Sequence, residues 1–136
     1  MKEQEVFVLK QVEDTLQALL KVYTTFPEQL ELAKEELKRV EEEIQDILHI
    51  IELASLNAVL MIKMYKELKE LRKKRRKLKD EIELLEAVNE IHNYSNLNKG
   101  IIGNIIGKVR NIIRKQENRK YTMRIRKDLQ HLLEKE

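Results

Sequence analysis

The chain has 136 residues, 38% of them charged and 42% hydrophobic, with a net charge of +3 and no cysteine or tryptophan. That length suits one domain, and the missing cysteine excludes disulfides, thiolate nucleophiles and thiolate zinc sites. No apolar run reaches the ~18 residues of a membrane span; the closest, 50–64, is interrupted by Glu52 and Lys63.

The opening MKEQEVFVLKQVEDTL turns acidic at once and lacks a long apolar core, so no secretory signal is read there and a soluble cytoplasmic protein is expected. Residues 3–24 form the first expected helix, with Val6, Leu9, Val12, Leu16, Leu19, Leu20 and Tyr23 on one stripe. It is expected to pack along the rest of the molecule. TTFPEQ breaks it; Thr25 with Glu28 reads as a capping box, and Pro27 suits the first turn of a new helix.

The dominant pattern follows. Leu30, Ala33, Leu37, Val40, Ile44, Ile47, Ile51 and Ala54 alternate at spacings of three and four, a complete heptad seam. A second seam runs through Met61, Met64, Leu68, Leu71, Arg75, Leu78, Ile82 and Leu85, broken once, by the arginine. A turn at 54–59, with Ser55 or Asn57 as the next cap, folds residues 27–93 into a hairpin. The competing reading is one unbroken helix, which could not bury its own seam.

Charge agrees with the hairpin. Residues 28–46 hold eight acids against three bases, and residues 63–79 hold ten bases against two acids. Folding back near Leu56 sets the two blocks face to face, with Arg75 near Leu37 and within reach of Glu36 and Glu41. The same pairing could join two chains, so monomer and antiparallel dimer both stand. Arg75 is read as a polar residue that fixes register.

NYSNLNKG at 93–100 is the clearest breaker, and two shorter basic helices are expected at 97–115 and 119–134. In the first, Ile102, Ile105, Ile106, Val109, Ile112 and Ile113 share a face, read as a core helix closing the open end of the hairpin rather than as a membrane-surface helix. Gly103 and Gly107 are spaced for close backbone approach, which points to a tight helix crossing or a flexible segment. The fold class is therefore all-α, a single domain over 1–136: a long antiparallel coiled-coil hairpin, an N-terminal packing helix and two basic C-terminal helices.

The functional candidates are basic. Lys108, Arg110, Arg114, Lys115, Arg119, Lys120, Arg124, Arg126 and Lys127 are opposed by Glu117 alone within their segment, so they form the first candidate surface for an anionic partner. Arg72, Arg75, Arg76 and Lys79 are the second set, able to bind a partner or to fix register. The string they belong to invites a nucleic-acid reading, but its bases spread around the helix, an acidic helix is expected alongside, and no aromatic interleaves to stack bases.

Catalytic chemistry finds no foothold: no phosphate loop, nucleophile elbow or zinc-protease signature occurs. Asp46, His49 and Glu52 are the nearest approach to a metal set, and the third helix supplies no matching Glu-x-x-His. No enzyme activity, cofactor or metal is expected.

The runs DILHIIEL at 46–53, KKRRKLKDEIELL at 73–85 and RKYTMRIRKDL at 119–129 resemble small all-helical proteins encoded by phages and prophages of low-GC Gram-positive bacteria. The resemblance covers under half the chain. It implies a cytoplasmic, non-enzymatic accessory factor, and it marks His49, Glu52, Arg75, Arg76, Lys79 and Asp80 as the first residues to vary. The leading expectation is a protein-interaction module, an inhibitor or adaptor binding a host protein with an acidic surface. The alternatives are a DNA- or RNA-binding regulator using residues 108–127 and a scaffolding oligomer, with a homodimer open in each case.

Overall fold

The computed structural model describes residues 2–134. Its elements are α1 (Lys2–Tyr23), α2 (Thr25–Leu53), α3 (Ala58–Asn89), a short 3-10 segment (Glu90–Asn93), α4 (Lys99–Glu117) and a second 3-10 segment (Lys127–Leu132). The protein is all-helical among the described residues.

Only Thr24 separates α1 from α2. Its N–H still bonds to the Leu20 carbonyl at 3.1 Å, so no loop separates the two helices. Pro27 explains the break. It has no N–H for the Tyr23 carbonyl four residues back, and its ring crowds that oxygen. The expected Thr25–Glu28 capping box does not form: Thr25 lies inside α2, and the Thr24 hydroxyl donates backwards to the Leu20 carbonyl at 2.8 Å.

Between α2 and α3 the helix truly ends. Ala54 takes an extended backbone, and the Asn57 side chain accepts the Leu60 N–H at 2.9 Å. Of the two caps the residues offered, asparagine fills the role. The two helices then run side by side in opposite directions. Lys34 lies 3.8 Å from Glu86, Lys74 donates to Glu36 at 2.6 Å, and Arg75 lies 3.5 Å from Glu41.

The core sits toward the end of this pair nearer Thr24. Leu30, Ala33, Val40 and Ile44 of α2 are buried with Leu85 and Ala87 of α3, Ile91 of the first 3-10 segment and Ile112 of α4. Burial of each larger aliphatic side chain stabilises the fold by about 1.5–3 kcal/mol. Toward the other end the same seams open: Ile51 is 45% exposed and Met61 58%.

Asn98 caps α4 by accepting the Ile101 N–H at 2.9 Å, and α4 lies against α3. Of its apolar face, Ile112 is buried and Ile105 and Val109 are half-buried, while Ile102, Ile106 and Ile113 remain exposed. The tight crossing expected at Gly103 and Gly107 is absent. A Cβ built on either glycine would meet nothing within 4 Å, so their missing side chains serve no close approach.

Two further expectations are corrected. The second C-terminal helix, 119–134, is reduced to irregular chain followed by the 3-10 segment Lys127–Leu132. Side chains take over the backbone's partners there: the Gln130 side-chain oxygen accepts the Met123 N–H at 2.7 Å, and Arg126 and Asp128 pair with each other. The N-terminal helix does not pack along the hairpin. No residue of α1 is buried, and Tyr23, at its last position, meets the His92 ring edge-on at 5.2 Å.

Candidate binding surfaces

Three surfaces stand out once the elements are in place: the basic residues of α4 and the C-terminal segment, a cleft beside α3, and the bare face of α1.

The first surface is only partly free. Lys108 pairs with Glu90, and Arg126 pairs with its near neighbour Asp128. Arg119 grips Asp80 of α3 with two hydrogen bonds of 2.9 and 2.8 Å. That bond, the larger cause, and the carboxylate's charge raise the Arg119 pKa above its ordinary value. The Arg126 guanidinium likewise holds the Asp128 carboxyl below its usual range. Asp80 of α3, Glu90 of the first 3-10 segment and Asp128 thus cover part of a segment expected to have no acidic counterpart. Arg110, Arg114, Lys115, Lys120, Arg124 and Lys127 are exposed, and no carboxylate lies within ion-pair distance of them among the described residues.

The second set lies on α3. Arg75 is half-buried against Glu41 and Lys79 is half-buried, whereas Arg72 and Arg76 are exposed. Arg72 divides two environments. On one flank it and Arg75 line a groove with Glu41, Glu42, Asp46 and His49, where α2 supplies neutralising acids. On the other flank a cleft of about 680 Å³ is lined by Tyr65, Leu68, Lys69, Arg72, Lys73 and Arg76 of α3 and by Tyr121 and Leu133 of the C-terminal segment. No carboxylate lines it. Within α3 these residues recur at helical spacing, so part of the basic string shares one face after all.

Tyr65 and Tyr121 are the residues that reading the sequence missed. They are 60% and 62% exposed, and they lie 56 positions apart in the chain. Tyr65 stands one turn before Lys69 and could have been placed on the basic face by counting. Tyr121 could not, because the Arg119–Asp80 clamp and the non-helical chain after Asn118 bring it there.

The third surface is the α1 stripe. Val6, Leu9, Val12, Leu16, Leu19, Leu20 and Tyr23 are between 43% and 69% exposed. Isolated exposed apolar residues are ordinary, but a continuous stripe along a 22-residue helix is the pattern of an interaction surface.

His49 lies in the mixed-charge groove with Asp46, and among the described residues no group of three or more His, Asp or Glu side chains is placed to hold a metal ion. No described helix is long and apolar enough to cross a membrane. Comparison with protein-family models, curated proteins and solved structures gave no match.

Proposed function

We propose that this chain is a non-enzymatic protein-interaction module, an adaptor or inhibitor of the phage type, and that it docks through α1. The observation that carries the reading is the bare stripe: a helix with a one-sided apolar face that buries none of it. An amphipathic helix of 22 residues gains most of its stability from packing that face, so the free energy for holding α1 in place must come from another chain.

The occupant we assign is a second copy of α1, packed antiparallel. Antiparallel pairing sends the rest of the two chains, each with 24 bases against 20 acids in residues 24–136, out from opposite ends, whereas parallel pairing sets these like-charged bodies side by side. In this reading α2 and α3 form an antiparallel coiled-coil strut, and the free cations of α4, Arg110, Arg114 and Lys115, face an acidic partner protein.

Sedimentation equilibrium of the full chain tests it. The expected mass is twice the 16.3 kDa of one chain, falling to one chain in L9D and L16D variants with little loss of helicity outside α1. A wild-type protein that stays monomeric at hundreds of micromolar, or a dimer that both variants leave intact, would contradict the assignment.

A further inference from the structure

The cleft beside α3 has no part in the docking of α1, and its chemistry is different. It joins two half-exposed tyrosines to a row of cations. Tyr65, Lys69, Arg72, Lys73 and Arg76 follow one face of α3, and Tyr121 faces them from the C-terminal segment. Lys73 has one carboxylate neighbour, Glu70 on its own helix at 3.5 Å. Lys69, Arg72 and Arg76 have none within ion-pair distance among the described residues.

We propose that this cleft binds single-stranded nucleic acid. Cations spaced along a helix face neutralise successive phosphates, and tyrosine rings supplied by α3 and by the C-terminal segment offer platforms for unpaired bases. An acidic peptide would satisfy the cations but would leave the tyrosines without a task. A duplex keeps its bases stacked inside, out of the tyrosines' reach. The pairing of charge with aromatic surface therefore selects an unpaired strand. Arg72 lies where the neutralised and free flanks meet, so the acidic α2 directs the strand to one side of α3. The free cations Lys120 and Arg124, within three residues of Tyr121, extend the electrostatic track along the C-terminal segment.

Fluorescence anisotropy of labelled oligothymidylate and oligouridylate with the full chain tests this. The expected result is binding that weakens steeply between 50 and 200 mM salt. Y65A and Y121A should each weaken it by about five- to a hundredfold, and Y65F, which keeps the ring, should bind as wild type. Both tyrosines are exposed, so circular dichroism and sedimentation should show the variants folded and with wild-type mass, which separates this result from any failure of the α1 assignment. Any of three outcomes would overturn the proposal: no oligonucleotide binding, equal binding of polyglutamate or inorganic polyphosphate of matched charge, or tyrosine variants that bind as wild type.

Discussion

Arg119 holds Asp80 across 39 positions of chain with two parallel hydrogen bonds, 2.9 and 2.8 Å long. Beside it the Gln116 side chain donates to the Asp80 carbonyl at 3.1 Å. This is where the C-terminal segment is tied to α3. A planar guanidinium matches both carboxylate oxygens at once, which a lysine cannot do. D80A should therefore free residues 119–134 while leaving the α2–α3 core folded. Limited trypsin digestion should then cleave at Lys120 and Arg124 faster than in wild type, and R119K should restore little of the protection. An unchanged digestion rate would show that the clamp does not hold the segment.

Gly103 and Gly107 weaken α4 without repaying it in packing. Each glycine in a helix interior costs about 0.5–1 kcal/mol relative to alanine, and an added Cβ meets nothing at either position. G103A and G107A should each stabilise the protein by about that amount, read as a shift in the urea midpoint with an unchanged slope. Destabilisation by either substitution would mean that α4 makes a close contact there.

The Lys74 ammonium donates to Glu36 and, through that bond first and its charge second, holds the Glu36 carboxyl below its ordinary value of 4.5. A carboxyl whose pKa is depressed on folding stabilises the fold above its unfolded value, and that contribution is lost as the pH falls through the folded value. E36Q should thus melt lower than wild type at pH 7, by at most about 3 °C for so exposed a pair. The gap should narrow as the pH falls through the lowered folded value. A gap that stays constant on acidification would assign the effect to something other than the charge.

Arg75 sits in the α3 seam between Leu71 and Leu78, half-buried, with its nearest carboxylate oxygen on Glu41 at 3.5 Å. At that length the pair gains little, and leucine would continue the seam. R75L should fold and melt at or above the wild-type temperature. Loss of folding would make this ion pair indispensable to the α2–α3 contact.

How far these features are legible in the sequence depends on the range over which they are decided. The all-helical class follows from periodicity alone, and the break after Leu53 follows from Ser55 and Asn57, because a cap is a contact between residues three apart. The break after Tyr23 follows from Pro27, which leaves the Tyr23 carbonyl without its helical partner. The residues after Asn118 have helical spacing, yet the Arg119, Gln130 and Arg126 side chains find partners that compete with a helix. The free and covered members of the C-terminal basic set differ by which of them reaches Asp80, Glu90 or Asp128, and for the first two that is a tertiary matter. The cleft is the extreme case. One of its tyrosines lies on the basic helix, and the other arrives through a clamp formed by residues invisible to any local pattern.

The account rests on α1 meeting a second copy of itself in opposite orientation. Overlap of the stripe from Val6 to Tyr23 with its copy centres an antiparallel pair between Val12 and Leu16, so the absence of native cysteine makes a direct test available. Single-cysteine variants V12C and E5C, seven residues apart on the same face, oxidised mildly and run without reductant, report the geometry. Cross-linked dimer from V12C and almost none from E5C is the predicted result. Equal cross-linking at both positions would mean parallel helices, and none at either would mean that α1 does not pair with itself.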